Sequence, residues 1–543
     1  MTATAARPPA SPRPRARAST GSWLRVAPVL TAAVLAAVYV IGSPPSRDLA
    51  AHLFRAHLFD QQGFGLWNNY WYGGHHVLGY SALFPAISAL LTPQLAAALA
   101  ATATAAVFEP LARRHFGEHA WLGATLFGAA TAINLYTGRL PLAFGALPAL
   151  GAIAALDTGA TAPACAAACL AGLCSPVAAL FTAIAAAGYA LAAGLTRRRV
   201  TRALPGSAVA AAALLPVALL AIAFPESGTE PFGLATLLPV LAVCAAALLV
   251  VPRPAPALRA GVAIYALATL AVFAIPSPIG SNVARLGTLL AAPLAALVWW
   301  PRRRRLLAIA VVPLLYVGWQ APVRDVAAVA GDPATSAAYY RPLLRYLSAQ
   351  PGGSQRQFRV EIPFTNSHWE ADQVAPSFPL ARGWERQLDV ADNPVFYDGR
   401  LTASTYDRWL HGNAVRFVAL PDAALDASAR REAALIASAP PYLQLVMHSA
   451  HWRVYAVVAP TSIAQGVATL TAMGSDWLAL RARRPGTVTL RVRFTPYWAL
   501  TTGSGCVGPD GAAIRLTLRD AGVVRLQTRF SPRRIGARTP RCA

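Results

Sequence analysis

Residues 23–57 read WLRVAPVLTAAVLAAVYVIGSPPSRDLAAHLFRAH. Apart from Arg25 near its start, the stretch 24–42 is an apolar run. At 1.5 Å rise per residue it is about as long as a helix must be to cross the hydrocarbon core of a bilayer. Ser43-Pro44-Pro45 ends the run, no A-x-A site follows, and Ser-Pro-Pro is a poor context for cleavage. The run therefore reads as a retained first crossing and not as a signal peptide. The residues after it are of another kind. Over Ser46 to His57, Asp48, His52 and Arg55 fall at i, i+4 and i+7, which is one face of a helix.

Moving outward, the whole chain repeats the first pattern. Of 543 residues, 56% are hydrophobic and 13% charged, with a mean hydropathy of +0.44. Soluble domains carry roughly a quarter charged residues, so an ordinary soluble protein is excluded. Apolar segments of about 17–22 residues fill 23–320: 24–42, 80–108, 119–136, 140–156, 160–174, 176–195, 203–223, 233–251, 257–275, 284–300 and 305–320. These predict a polytopic α-helical membrane protein of about eleven crossings, with the count in 158–196 the least certain because its halves are short. The net charge of +24 is written entirely in arginine. Taken alone it would suggest nucleic acid, but in the membrane half the arginines sit between apolar runs, and no nucleic-acid partner is expected. Arg7, Arg13, Arg15 and Arg17, then Arg113 and Arg114, Arg197 to Arg199 with Arg202, Arg253 with Arg259, and Arg302 to Arg305 mark alternate loops. The intervening loops hold Asp48, Asp60, Glu226 and Glu230. By the positive-inside rule, 1–22 is a disordered cytoplasmic tail and everything after about residue 321 is extracytoplasmic, in a multi-pass protein of the cell membrane.

The composition changes after Gln320. The stretch 321–460 mixes helix and strand signals and predicts an extracytoplasmic α/β domain. The stretch 461–543 carries strand signals alone, punctuated by Pro485-Gly486 and Pro509-Asp510-Gly511, and predicts a β-sandwich. From residue 321 on there are 26 arginines against 16 acids, which suits an outer-surface polyanion. Four of the six cysteines lie in apolar segments. Cys506 and Cys542 lie outside, where an oxidising compartment would allow them to pair.

The chemistry is densest in the first external loop, 43–80. Beyond Asp48, His52 and Arg55 it carries Trp67-Asn68-Asn69-Tyr70-Trp71-Tyr72-Gly73-Gly74-His75-His76 and then Gly79-Tyr80-Ser81. A carboxylate at the membrane surface can act as a base or hold a cation. An arginine can grip a phosphate bidentately. Polar-tipped aromatics such as Trp67 and Tyr72, with Asn68, His75 and His76, suit a sugar substrate. The plainer reading is that Trp and Tyr collect at membrane interfaces and that Asp48, His52 and Arg55 form a helix-face ion-pair set. Arg285, after Ser281-Asn282-Val283, and Arg139, in a very short turn, are further arginines at the outer boundary. His368-Trp369-Glu370 and Gly383-Trp384-Glu385-Arg386 suit packing of the external domain onto the membrane loops better than carbohydrate contact.

An acid soon after the first crossing, in a long external loop followed by many helices and an external C-terminal domain, resembles the GT-C superfamily of membrane glycosyltransferases. More closely, Asp48-x-x-x-His52-x-x-Arg55 with Trp67-Asn68, Tyr72-Gly73-Gly74 and Gly79-Tyr80-Ser81 resembles bacterial membrane proteins labelled "6-pyruvoyl-tetrahydropterin synthase-related". Pro496-Tyr497-Trp498 and Gly511 before a strand resemble the terminal sandwich of the YfhO-like branch. The resemblance implies transfer of a sugar from a polyprenyl-phosphate carrier to an envelope glycan or lipid acceptor. It implies Asp48 as base or acceptor-orienting carboxylate, His52 as its partner, and Arg55 and Arg285 as candidates for the departing phosphate. Many such enzymes have two adjacent acids in this loop, whereas here Arg47 precedes Asp48. The second acid is Asp60, Glu226, Glu230 or none, so the need for a divalent cation stays open. A transporter or lipid-linked-glycan flippase, or an inactive glycan-binding scaffold, are the alternative functions.

Overall fold

The structure is a computed structural model that describes residues 22–197, 200–253 and 255–542. The tail arginines, Arg198 and Arg199 lie outside the described residues. Among the described residues, thirteen α-helices run through the chain up to residue 329: α1 (Ser22–Gly42), α2 (Arg47–Gln62), α3 (Phe84–Leu91), α4 (Pro93–Phe116), α5 (Trp121–Tyr136), α6 (Leu140–Asp157), α7 (Thr161–Cys174), α8 (Pro176–Arg197), α9 (Leu204–Ala223), α10 (Leu234–Val250), α11 (Pro256–Ala274), α12 (Arg285–Trp299) and α13 (Arg304–Val329). Among the described residues, eight segments are long and apolar enough to cross a membrane, and one of them, Pro93–Tyr136, holds both α4 and α5. The helices α7 and α10 are apolar but shorter. Together these are the eleven apolar elements expected, and the chain is a multi-pass helical membrane protein.

Two boundaries differ from the sequence reading. The run 80–108 is not one helix. Thr92 takes a left-handed φ of 69°, its side chain accepts a bond from the Leu95 amide, and Pro93 opens α4. Proline lacks an N–H and disfavours helical geometry in the residue before it, so the crossing starts there and α3 is a short separate helix. At the other end, α13 continues to Val329, past the change in composition.

The bundle packs through small residues, as expected where no hydrophobic effect drives helices together in lipid. A Cβ on Gly188 of α8 would meet the Gly261 backbone of α11 at 2.9 Å, and one on Gly206 of α9 would meet Ala186 O of α8 at 2.7 Å. The outward faces keep large apolar residues, such as Leu215, Leu219 and Ile222 of α9.

Beyond the bundle, β3 (Arg359–Glu361), β4 (Val415–Pro421), β5 (Leu443–His448) and β6 (Trp452–Val457) form a mixed sheet in the order β3-β4-β6-β5, with β3 and β4 parallel. In this domain Arg382 is buried between the Phe364 and Phe396 rings. It bonds Asp389 at 2.7 Å and Glu432 at 2.9 Å, with Glu361 at 3.8 Å. The last part is a sandwich. One sheet has five strands: β7 (Ala464–Gly466), β10 (Gly486–Leu490), β13 (Ala513–Leu518), β12 (Gly505–Asp510) and β15 (Arg541–Cys542). The other has four: β8 (Ala468–Met473), β9 (Trp477–Ala482), β14 (Gly522–Thr528) and β11 (Trp498–Thr502). Leu478, Leu480, Val524 and Leu526 from one sheet and Val488, Leu490, Ile514 and Leu516 from the other share a core, each at alternate strand positions. Cys506 pairs opposite Cys542 across β12 and β15, and the two form a disulfide.

Candidate functional site

The turn between α5 and α6, the start of α8, the loops after α9 and α11 and the external domain meet the start of α2 at one end of the bundle. They enclose a cavity of about 520 Å³. Its walls are of two kinds. Leu142, Val177, Val217, Leu220 and Ala221 of α6, α8 and α9 make an apolar side. Asp48, Arg139, Arg285 and Glu230 line the polar side with Arg47, and His368, Arg386 and Asp426 reach it from the external domain.

Local chemistry places Asp48. Ser46 caps α2 by accepting from the Leu49 amide, so Asp48 sits in the first turn, where a carboxylate is favoured by the helix dipole. The external domain grips the same turn. Trp369 Nε1 donates to Ser46 O at 3.2 Å, Trp384 Nε1 donates to Arg47 O at 2.9 Å, and the Arg47 guanidinium donates to Asn366. The two tryptophan clusters thus pack the domain onto the first loop. Gly138, at φ 73°, lies against Ser46 and Asp48 so closely that no side chain fits between them. The imidazole of His52 donates from Nε2 to Gly138 O at 3.0 Å. Burial, then the charge of Arg55, hold His52 down to about 3, so it is a neutral donor that fixes the turn carrying Arg139.

Burial raises the Asp48 carboxyl above its ordinary value, and the charges of Arg285 and Arg139 oppose that rise. Among the described residues the Asp48 carboxylate accepts no hydrogen bond, and neither guanidinium has a carboxylate ion pair at contact distance. A carboxylate and two arginines therefore face a cavity with their bonding capacity unspent, which is uncommon for enclosed charges. Among the described residues no three His, Cys, Asp or Glu side chains are grouped to hold a metal ion. The Asp48 carboxyl feels the guanidinium charges of Arg285 and Arg139 and also the carboxylate charge of Asp325, and Glu230 lines the same cavity.

Gly79, Tyr80 and Ser81 also line the cavity, but most of the other residues singled out in the first loop lie elsewhere. Arg55 does not line the cavity. It is buried, ion-paired with Glu385, and its guanidinium lies 4.0 Å from the Tyr80 ring centroid. Trp67, Asn68, Tyr72 and His75 are at most 2% exposed. They form a small hairpin, β1 (Trp67–Asn68) with β2 (His75–His76), that seams the loop to the C-terminal domains. The Trp67 ring meets Trp498, Asn68 donates to His75 Nε2, Tyr72 OH donates to Glu385 O, and Arg493 donates to Tyr72 O. Of this group only His76 reaches the cavity, held between Thr495 and Glu226. Asp426 was not legible as a site residue. Its place beside His368 and Arg386 depends on contacts with residues forty or more positions away in the chain.

No family model matches the sequence, and no curated protein matches it. Among solved structures the chain is similar to ArnT from Cupriavidus metallidurans in the apo state, with a TM-score of 0.42 and 14% identity, covering 79% of this chain and 98% of that one. It is likewise similar to ArnT from the same organism bound to undecaprenyl phosphate, with a TM-score of 0.39 and 14% identity, covering 81% of this chain and 99% of that one.

Proposed function

We propose that this chain is a membrane glycosyltransferase that moves a sugar from a polyprenyl-phosphate carrier to an envelope glycan or lipid, with its N-terminus cytoplasmic and the cavity and C-terminal domains on the outer face. The observation that carries the reading is the two-sided cavity. Its apolar wall suits an isoprenoid chain, and its polar wall presents the unbonded Asp48 carboxylate and two unpaired guanidiniums at one end of the helix bundle. The first-loop motif, which resembles the GT-C superfamily, supports the same reading.

In this mechanism the acceptor hydroxyl attacks the anomeric carbon while the bond from that carbon to the phosphate oxygen breaks. The hydroxyl proton passes to Asp48. Burial raises the affinity of that carboxylate for a proton, which strengthens it as a base. The departing polyprenyl phosphate gains a negative charge, which Arg285 and Arg139 neutralise in a partly dry site. His52 and Arg55 act through position: His52 holds the Arg139 turn, and Arg55 holds the external domain against α2.

Asp48→Asn tests the reading. Release of polyprenyl phosphate from a labelled polyprenyl-phosphate sugar, in membranes holding equal amounts of folded protein, should fall by about 10²–10⁴-fold, the usual contribution of a general base. Turnover equal to wild type would remove Asp48 from the chemistry.

A further inference from the structure

The sandwich is strongly basic, with thirteen arginines against three aspartates between 461 and 543. Five of these arginines, Arg529, Arg533, Arg534, Arg538 and Arg541, fall in thirteen residues that contain no acid. Among the described residues none of the five has a carboxylate ion pair. Arg534 donates instead to Pro496 O and Thr539 O, and Arg541 to Tyr497 O. Burial, then the neighbouring charges of Arg534 and Arg529, lower Arg541 from its ordinary value, as expected where like charges crowd.

The position of this strap gives the charge a meaning. Tyr497 OH donates to Ala223 O, the last residue of the membrane-crossing α9. Phe224, next in the chain, contacts the rings of Tyr497 and Phe530 at 5.5 and 5.6 Å between centroids. Arg534 and Arg541 thus bond the backbone at Pro496 and Tyr497, directly over the end of a helix whose Leu219 and Ile222 face outward. Phe530 is 47% exposed and Ile535 38% exposed, so large apolar groups alternate with the guanidiniums along the strap. The disulfide at Cys542 pins its far end to β12.

We infer that residues 529–541 are a headgroup-binding strap, which lies in the adjacent leaflet's interface and takes the phosphates of anionic phospholipids between its arginines, with Phe530 and Ile535 dipping toward the acyl chains. Interfacial binding of this kind adds apolar burial to attraction for acidic lipids. A soluble polyanion would use the arginines but gain nothing from the apolar side chains, and the continuity with the end of α9 favours lipid. The strap would hold the sandwich, and through its Trp498–Trp67 contact the first loop, at a set height over the bilayer.

Hydrogen exchange of the full chain in nanodiscs tests this. Peptides covering 529–541 should exchange about fivefold or more slowly in discs containing phosphatidylglycerol than in pure phosphatidylcholine, given about a fivefold gain in binding for each basic residue at an anionic surface. Arg529→Gln, Arg533→Gln and Arg538→Gln together should erase the difference, and the matching lysine variant should keep it. Unchanged exchange in Ala513–Leu518 checks that the sandwich is intact. Equal exchange of 529–541 in both kinds of disc overturns the inference. So does equal protection by soluble polyphosphate in phosphatidylcholine discs, which would reassign the strap to a soluble polyanion.

Discussion

Gly138→Ala should separate the geometry of the site from the stability of the fold. Gly138 sits at φ 73°, and a Cβ there would meet the Asp48 Cβ at 2.9 Å and press on Ser46 Oγ. Ordinary contact between such carbons begins near about 3.5 Å, so the turn must withdraw by about 0.5–1 Å, or Ser46 must swing away. Either route disturbs the site. Withdrawal pulls Arg139 from Asp48 and stretches the His52–Gly138 bond, whereas rotation of Ser46 gives up the cap of α2, worth about 1 kcal/mol. The left-handed backbone adds about 1–2 kcal/mol for any L residue. Gly159→Ala isolates that last cost. It has φ 83°, in the same left-handed range, but nothing lies within 4 Å of its added Cβ. Both variants should lose folded yield in detergent, Gly138→Ala the more because it adds the clash to the left-handed cost. Only Gly138→Ala should also lose transfer, by about 10²-fold, the effect of misplacing a reacting group by about 1 Å. Sugar transfer per folded molecule is the assay. Equal turnover in the two variants would refute the claim that the 138–139 turn sets the distance between Arg139 and Asp48.

Two further outcomes concern the external domains. Burial and the Glu432 carboxylate push the Glu361 carboxyl well above its ordinary value of 4.5. The folded chain then keeps a proton that the unfolded chain releases, so this group's contribution to stability is full below about pH 4.5 and falls by about 1.4 kcal/mol per pH unit above it, until the folded group ionises. Glu361→Gln should flatten that part of the pH dependence of thermal unfolding without lowering stability at neutral pH. A slope unchanged from wild type would mean that Glu361 is ionised throughout. Replacing both Cys506 and Cys542 by serine opens a link between residues 36 apart. It should destabilise the sandwich by about 4 kcal/mol on the chain-entropy view. An unchanged melting temperature in the double variant would show the link to be energetically idle.

How much of this was legible beforehand differs between bundle and site. Asp48 was legible because one acid soon after an apolar run stands out, and the packing role of Trp369 and Trp384 because each lies in a polar, aromatic cluster. Arg55 and His52 share a helix face with Asp48, yet they point into different surroundings. Arg55 is matched to Glu385, 330 positions away, and His52 to the carbonyl of Gly138. No spacing within the first loop encodes either partner. The same holds for Trp67, Asn68, Tyr72 and His75, whose composition suits a sugar site equally well but which are buried against Trp498, Glu385 and Arg493.

The sequence by itself determined the properties that depend on neighbours along the chain. Crossing a membrane requires a continuous apolar length, a sandwich strand requires alternation over a few residues, and both can be read within a window of about twenty. Even the break before Pro93 obeys a local rule. Only the tertiary structure decided which charges stay free. An arginine becomes a structural bolt or a phosphate ligand according to whether the fold brings it a carboxylate. Arg55 and Arg382 received one, whereas Arg139 and Arg285 were left facing Asp48 across a cavity. The physical reason is that Coulomb and hydrogen-bond energies act through space, over distances that chain separation does not predict.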